Sequence, residues 1–319
     1  MYRSKTLATL ALLVAMTAGS ALAQNNPMRQ LFRQNSLNNP SQTRTPGANG
    51  LGSNPFLLID YPGGIANQYV AGINDQGKLV GIVGFADGSF RGYLLQGTTF
   101  KDIVYPGSGG TGAFGINKSG LIVGFYCDVG CNTTHGFTLK GKTYTALDYP
   151  GGMNTSPNGV NSVGDIAGTY ETSDTVVHGF FLHKGAYTTI DLPGSTLTEP
   201  MSINKQGTIV GICFLSGDTG GGHGFILQNG VFTVVDYPGA YGTGLYGIND
   251  SGDIVGGYAE VEHGLNHGFL LSGGVYTVFD VPFPGQIATD PSGLNNHHQI
   301  VGSYGSFPPD YFFGFLTTY

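Results

Sequence analysis

The sequence predicts an all-β protein: a six-bladed β-propeller of four-stranded blades, closed by an N-terminal D strand that completes the C-terminal blade. An aliphatic residue followed by Asn recurs six times, at intervals of 43, 44, 43, 45 and 46 residues. Gly accounts for 55 of the 319 residues and charged residues for only 10%, which is typical of short strands joined by tight turns. The repeated asparagines are Asn74, Asn117, Asn161, Asn204, Asn249 and Asn295.

Each repeat unit supplies four strand patterns in a fixed order. Strand A ends at the aliphatic-Asn pair, strand B is I-V-G-x-Y, strand C starts at H-G-F, and strand D ends at D-Y-P-G. The segment FLLIDYPG at 56–63 is a D strand with no A, B or C strand before it, and FGFLTTY at 313–319 is a C strand with no D strand after it. We expect these two segments to pair, because this completes the sixth blade and leaves no open edge in the ring.

The segments before the repeats have other compositions. Residues 1–23 combine Arg3 and Lys5, an apolar run and the small-x-small sequence at 21–23, which predicts a cleaved signal peptide and a secreted or periplasmic (cell-envelope) protein. An N-terminal membrane anchor is less favoured, because the apolar run is shorter than about 20 residues, and no later segment predicts a transmembrane helix. Residues 24–54 are rich in Asn, Gln, Pro, Ser and Gly and predict a disordered linker, with a partner-binding tail as the alternative. The propeller domain is therefore 55–319.

A histidine and an aspartate recur together in strands C and D. In the stretch 223–239, Asn229-Gly230 is a strong hairpin-turn signal, which places His223 opposite Asp236. The same spacing pairs His135 with Asp148, His178 with Asp191 and His267 with Asp280. In the first unit Arg91 replaces the histidine and Val104 the aspartate. Because the pair recurs four times and both members are replaced together, we interpret it as a structural ladder of about 0.2–1 kcal/mol per pair, not as a catalytic or metal site.

These units resemble the family described as "probable extracellular repeat, HAF family", which combines a G-I-N-x-x-G-x-I/V-V-G segment with a His-Ala-Phe segment. The corresponding H-G-F segments lie at 135–137, 178–180, 223–225 and 267–269. The resemblance covers residues 56–319 and implies an exported repeat protein, but no catalytic residues. Gly in place of Ala, Arg91 and Phe313 at His positions depart from the pattern and leave the repeat intact.

The two faces of the predicted ring differ in their turns. The A–B and C–D turns are short and alike and form a tight face, whereas the longer D–A and B–C connections vary and form the opposite loop face, where we expect function. The loop face is predicted to be acidic and aromatic. Aromatic rings beside carboxylates suit carbohydrates, with a cationic protein surface or a Ca²⁺ ion as alternatives. The expected ligand-binding residues are Tyr69, Phe114, Glu199, Tyr246, Glu260, Glu262, His263 and Asp290.

Three of these residues lie in the stretch E-V-E-H-G, which occurs in one unit only. Glu260, Glu262 and His263 are of types that bind metals or transfer protons. In a straight strand His263 would point away from the two glutamates, so their convergence requires a bent loop. The sequence therefore predicts no metal site and identifies no catalytic residue. No cofactor is predicted, Ca²⁺ being the one ion that these loops would suit.

The three cysteines divide into a pair and a single residue. Cys127 and Cys131 flank D-V-G in a variable loop, and in an oxidising compartment we expect them to form a disulfide. Cys213 falls at the strand B position that tyrosines occupy in other units, which predicts a buried core thiol.

Composition and motifs narrow the classes of function. The net charge of −7 argues against nucleic acid as a partner. The sequence contains no G-x-S-x-G, HExxH, P-loop or dinucleotide-binding motif. It thus favours a binding module, with carbohydrate as the first choice, over an enzyme. The alternatives are a glycan-active hydrolase or lyase, which predicts one central cluster of carboxylates, and a structural envelope protein, which predicts no ligand site.

Overall fold

A computed structural model describes residues 56–64, 68–173, 176–217, 221–262, 266–283, 286–306 and 311–319. The predicted signal peptide (1–23) and linker (24–54) lie outside these ranges. All regular elements in the described ranges are β-strands, arranged in six four-stranded sheets, so the predicted six-bladed propeller is confirmed. None of the described segments forms a helix that could cross a membrane.

The strands follow one another as A, B, C and D in each blade. Blade 1 contains β2 (Gln68–Ile73), β3 (Leu79–Gly84), β4 (Phe90–Gln96) and β5 (Thr99–Ile103). Blade 2 contains β6 (Gly110–Ile116), β7 (Leu121–Cys127), β8 (Thr134–Lys140) and β9 (Thr143–Leu147). Blade 3 contains β10 (Met153–Val160), β11 (Ile166–Glu171), β12 (Val177–His183) and β13 (Ala186–Ile190). Blade 4 contains β14 (Ser195–Ile203), β15 (Ile209–Leu215), β16 (His223–Gln228) and β17 (Val231–Val235).

The last two blades include both ends of the propeller. Blade 5 contains β18 (Gly242–Ile248), β19 (Ile254–Ala259), β20 (Asn266–Ser272) and β21 (Val275–Phe279). Blade 6 contains β22 (Gln286–Leu294), β23 (Gln299–Ser306), β24 (Tyr311–Thr318) and, as its D strand, β1 (Leu57–Ile59). Strand β1 pairs antiparallel with β24, Leu58 lying opposite Phe315. The predicted closure of the ring by the N-terminal D strand is confirmed.

The core lies between neighbouring blades. Six apolar clusters occur, each formed by side chains of two adjacent blades. The phenylalanine of the H-G-F segment is fully buried in four of these clusters, and Phe315 and Tyr93 take the same place in blades 6 and 1. The aromatic residue that marks strand C in the sequence therefore joins the blades to each other.

The repeated asparagines form a belt on the tight face. Each Asn Oδ1 accepts hydrogen bonds from the backbone N–H groups two and four residues later, which fixes the A–B turn. In five of the six blades, Nδ2 donates to the backbone oxygen of the repeat asparagine in the next blade, over 2.9–3.2 Å. The asparagines thus hold the turns and join neighbouring blades around the axis.

The belt has a different link between blades 5 and 6. Here Nδ2 of Asn249 donates to the hydroxyl of Tyr319 at 3.0 Å, and that hydroxyl donates to Oδ2 of Asp253, also at 3.0 Å. The Tyr319 ring packs against His298, with the ring centres 4.9 Å apart. Tyr319 therefore links the end of β24 in blade 6 to the A–B turn of blade 5.

This link predicts the effect of removing one hydroxyl. We expect Tyr319→Phe to lower the free energy of unfolding by about 1–2 kcal/mol, because Asn249 and Asp253 each lose a partner while the ring packing is kept. Urea denaturation measures the change. The matched control is Tyr241→Phe, for which the described structure has no side-chain hydrogen bond and which should change stability little; equal effects of the two variants would contradict the assigned link.

Candidate functional site

The A strands are the innermost strands of the propeller. Each A strand contacts the A strands of both neighbouring blades, so the six together surround the central axis. Every A strand contains a register shift, a β-bulge, centred three residues before the repeat asparagine. Such bulges re-aim side chains and are frequent next to active sites.

Two positions of strand A differ in polarity and charge from blade to blade. The residue six before the repeat asparagine is Thr in five blades, and its hydroxyl accepts the backbone N–H of the D–A connection. By contrast, the residues five before the asparagine are Tyr69, Gly112, Ser156, Glu199, Gly244 and Asp290. The bulged residues, three before it, are Ala71, Phe114, Asn158, Met201, Tyr246 and Ser292. We call these twelve the axial positions.

Four axial residues, Tyr69, Glu199, Tyr246 and Asp290, act on one another electrostatically, and we call them the axial site. Burial raises the pKa of Tyr246, and the charges of Asp290 and Glu199 raise it further. Burial likewise raises the pKa of Tyr69, with Asp290 adding to the shift. Blades 1, 4, 5 and 6 thus each contribute one side chain to a single cluster near the axis.

The axial site contains polar atoms that have no protein partner. Tyr246 and Asp290 are enclosed deep in the ring, yet each keeps part of its surface accessible to solvent. Oδ1 of Asp290 accepts a hydrogen bond from Nδ2 of Asn266 at 2.9 Å. Within the described residues, no hydrogen bond is made by Oδ2 of Asp290 or by the hydroxyls of Tyr69 and Tyr246. Glu199 is only 5% exposed. Oδ2 of Asp290 and the two tyrosine hydroxyls are thus available to a ligand that enters the ring.

Glycines make room for the Tyr246 ring. Gly244 and Gly257 lie opposite each other on β18 and β19. A Cβ atom on Gly244 would lie 2.6 Å from the Tyr246 hydroxyl, and one on Gly257 would lie 3.3 Å from the ring. Tyr246 therefore lies flat over the two glycines. Its position depends on their lack of side chains.

Burial also affects the acid of blade 6. It raises the pKa of Asp290 to about 6 from the usual 3.8, although the hydrogen bond from Asn266 opposes the shift. Folding therefore favours the protonated form. This contribution to stability is fully present below about pH 4 and is lost as the pH rises through about 6. At neutral pH the Asp290 carboxyl is ionised in the folded protein, and its burial then lowers the free energy of unfolding.

This cost predicts a stabilising substitution. Asp290→Asn keeps the shape of the side chain and an acceptor for Asn266, so at pH 7 we expect the free energy of unfolding to rise by on the order of 2 kcal/mol. At about pH 4 the variant and the wild type should be nearly equal. Urea denaturation at both pH values tests this, and a variant less stable than the wild type at pH 7 would contradict it.

The structure corrects the predicted location of these residues. Tyr69, Glu199, Tyr246 and Asp290 were expected on the loop face, but they lie within strands β2, β14, β18 and β22. The A strands begin earlier than the sequence suggests, because the bulge interrupts the alternation of side chains. The site is therefore on the axis and is built on rigid elements.

The other predicted ligand-binding residues are not part of the axial site. Phe114 occupies an axial position in blade 2, where its ring packs against Phe125 with the centres 5.4 Å apart. Glu260 and Glu262 are exposed after β19, and the charge of Glu260 contributes to the raised pKa of Tyr258, which burial chiefly causes. His263 lies outside the described residues. In the described part of the chain, no three His, Cys, Asp or Glu side chains are grouped to hold a metal ion.

The four His–Asp pairs are in contact across strands C and D. Nδ1 of the histidine lies 2.9–3.1 Å from a carboxylate oxygen in His135–Asp148, His178–Asp191, His223–Asp236 and His267–Asp280. Three of these histidines also lie over the strand B tyrosine, with ring centres 5.2–5.3 Å apart. The repeated contacts support the interpretation as a structural ladder.

The first blade replaces this pair in a way that the sequence analysis missed. Arg91 was expected opposite Val104, which replaces the aspartate of the other blades. The ionic partner of Arg91 is Asp102, two residues before Val104, with Nη1 of Arg91 lying 2.9 Å from Oδ2 of Asp102. Because side chains two apart share one side of a strand, the acid at 102 was the available signal.

The cysteines are placed as follows. The sulfur atoms of Cys127 and Cys131 are bonded to each other in the loop that follows β7. Cys213 is fully buried in β15 opposite His223, at the position that Tyr126 and Tyr170 occupy in their blades.

Fold and site together define a six-bladed β-propeller with one asymmetric axial cluster. No known protein family and no curated protein matches the chain. Similar solved structures include a triple arginine-to-alanine mutant of AofleA from Arthrobotrys oligospora, with 13% identity, a TM-score of 0.52 and coverage of 87% of this chain and 91% of that one.

Two further structures are more distant. A putative gluconolactonase has 13% identity, a TM-score of 0.48 and coverage of 85% and 97%. The fungal lectin of Aleuria aurantia, described as a six-bladed β-propeller with a novel fucose recognition mode, has 9% identity, a TM-score of 0.47 and coverage of 76% and 89%. At these identities the likeness concerns the fold alone.

Proposed function

We propose that the protein is an exported binding module that holds a carbohydrate at the axial site. The observation that carries this proposal is a set of solvent-accessible polar atoms near the axis that have no protein partner among the described residues: Oδ2 of Asp290 and the hydroxyls of Tyr69 and Tyr246. Because these atoms are accessible and make no protein hydrogen bond, they are free to bond to a ligand that enters the ring.

The chemistry of the site suits a hydroxyl-rich ligand. Carboxylate oxygens accept hydrogen bonds from sugar hydroxyls, and tyrosine hydroxyls both donate and accept. The tyrosine rings also offer apolar faces on which the C–H groups of a sugar can pack. A cationic protein surface, the alternative partner, would require acids on an open exterior face, whereas these acids lie inside the ring.

Neighbouring A strands approach one another closely between the asparagine belt and the axial site. Two residues before the repeat asparagine, five blades have glycine, and a Cβ atom there would lie 2.6–3.5 Å from the neighbouring A strand. The A strands therefore touch one another between the asparagine belt and the axial site.

A glycan array with the protein expressed from the full chain tests the proposal, first with calcium and then with EDTA. We expect binding, and we expect Glu199→Gln, Asp290→Asn and Tyr246→Phe each to weaken it by about tenfold or more, which corresponds to one lost hydrogen bond to a charged group or to a buried hydroxyl. Glu260→Gln is the control, because this exposed acid lies outside the site. Silence on every glycan would overturn the proposal in favour of a structural role.

One observation favours a second candidate function, a glycan-active hydrolase or lyase. Asp290 has a pKa raised to about 6 by burial, and Glu199 is a second buried acid acting on the same tyrosine. Glycoside hydrolysis typically uses a pair of carboxyl groups, one of which has a raised pKa and acts as the general acid. Chromatography of the bound glycans after incubation would reveal cleavage, and Asp290→Asn should then abolish turnover.

We also propose that the chain is exported, a proposal that the N-terminal charge pattern and the resemblance to the HAF repeat family support. Cleavage after Ala23 would leave Gln24 as the first residue. Fractionation of the producing cells, with N-terminal sequencing of the recovered protein, tests this. A protein retained in the cytoplasm with Met1 intact would overturn it.

A further inference from the structure

The charges around the axis are all of one sign. The twelve axial positions contain two acids, Glu199 and Asp290, and no Lys, Arg or His. The axial residues five before each repeat asparagine pair with strand B residues that also carry no positive charge. These are Ile82, Phe125, Thr169, Ile212, Gly257 and Ser303. Among the described residues, the charges that act on Tyr246 are those of Asp290 and Glu199, and the charge that acts on Tyr69 is that of Asp290.

A largely enclosed carboxylate without a neighbouring cation is an unusual arrangement. Ionised groups removed from water are normally paired with an opposite charge, because desolvation otherwise opposes ionisation. Asp290 has only the neutral amide of Asn266 as a partner among the described residues. A positive charge on the ligand would pair with the carboxylate of Asp290.

The two tyrosines add a second attraction for a cation. Tyr69 stacks on Phe312 with ring centres 5.2 Å apart and an angle of 29° between the planes, which fixes its orientation. Tyr246 is held over Gly244 and Gly257. Rigid tyrosine faces attract ammonium groups, more strongly where water is excluded.

The opposite half of the ring is neutral. In blades 2 and 3 the axial positions hold Gly112, Phe114, Ser156 and Asn158. Asn158 already donates to the backbone oxygen of Pro200 at 2.8 Å and accepts from the Ser156 hydroxyl at 3.1 Å. The site is thus polarised, with an anionic side in blades 4 to 6 and a satisfied, uncharged side across the axis.

We infer that the axial ligand carries a protonated amine, so that the axial site selects amino sugars over neutral and N-acetylated sugars. This inference rests on the proposed function and names the ligand class of the same site. The ammonium group would lie between Glu199 and Asp290, against the tyrosine rings. The uncharged part of the sugar would face blades 2 and 3.

The test compares two oligosaccharides that differ only in one substituent. Oligomers of glucosamine and of N-acetylglucosamine of equal length are titrated into the protein from the full chain by calorimetry, at about pH 6.5, just above the pKa of Asp290. We expect the amine-bearing oligomer to bind at least about tenfold more tightly, the ratio that one additional buried ion pair of modest strength would supply.

The variants assign this preference to the axial site. Glu199→Gln and Asp290→Asn should each reduce the preference towards unity by weakening only the amine-bearing ligand. Glu260→Gln should leave it unchanged. Since Asp290→Asn is expected to be at least as stable as the wild type, its loss of preference cannot be attributed to unfolding.

The outcomes separate this inference from the proposed function. Equal affinities for the two oligomers, or tighter binding of the acetylated one, would overturn the inference and leave carbohydrate binding intact. A preference for the amine that both axial variants retain would also overturn it, because the amine would then be bound elsewhere. Absence of binding to any glycan would overturn both proposals.

Discussion

Replacing Asn204 by alanine is expected to lower the free energy of unfolding by about 3 kcal/mol. Oδ1 of this buried asparagine accepts from the backbone N–H groups of Gln206 and Thr208, at 3.1 and 3.0 Å. Nδ2 donates to the backbone oxygen of Asn249 in the next blade at 3.2 Å. Alanine removes all three bonds and leaves the N–H of the buried Thr208 without its acceptor.

A second substitution separates the turn from the link between blades. Asn204→Asp keeps an oxygen that can accept from Gln206 and Thr208 but removes the amide donor to Asn249. At neutral pH we expect it to be at least as destabilising as alanine, because a buried carboxylate oxygen then faces the backbone oxygen of Asn249. At about pH 3 we expect it to be less destabilising than alanine by about 1 kcal/mol, because the protonated carboxyl retains the turn and can donate to that oxygen. Urea denaturation of the wild type and both variants gives the three values at each pH. An alanine variant within about 0.5 kcal/mol of the wild type would show that the belt does not hold the ring.

The repeat made the fold predictable from the sequence, and the reason is the redundancy of its signals. Each strand pattern occurs in several copies, so a weak alternation in one blade is corrected by the others. Closure of the ring also followed from the sequence. The segment at 56–63 is a D strand that has no blade of its own, and the segment at 313–319 is a C strand whose blade has no D strand. The pairing of β1 with β24 is the outcome.

The belt could not be predicted in the same way. The sequence shows that Asn74 and its five equivalents are repeated. The same repetition would be seen if each asparagine only fixed its own A–B turn and made no contact with the next blade. The amide that crosses to the next blade depends on how closely the A–B turns approach one another. That distance is set by the packing of whole blades, which a single repeat does not encode locally.

The axial site was predicted in part. The residue types were informative, because Tyr69, Glu199, Tyr246 and Asp290 were selected as aromatic and acidic residues near variable connections. Their convergence was not visible, since the four come from four blades and lie up to 221 positions apart in the chain. The bulge in each A strand also breaks the two-residue period by which the facing side of a strand is inferred.

The glycine of strand B predicts the largest effect of a single methyl group. In Gly124 of β7, an added Cβ would overlap the backbone oxygen of Gly112 on β6 and lie 2.9 Å from the Cα of Ala113. The obstacle is backbone, and β7 is held on its other side by β8, so neither strand can yield without losing its pairing. We expect Gly124→Ala to lower the free energy of unfolding by about 3 kcal/mol or more, or to prevent folding.

Gly141→Ala in the same blade provides the matched control. Gly141 lies in the turn between β8 and β9 with φ +64°, and no atom lies within 4 Å of its added Cβ. Its replacement should cost about 1 kcal/mol, the strain of a side chain in the left-handed region. Urea denaturation of both variants compares overlap with backbone strain. Equal losses of unfolding free energy in the two variants would mean that strands A and B can separate at Gly124. The glycine that occurs in all six B strands would then be required for its backbone flexibility and not for the close approach of strands A and B.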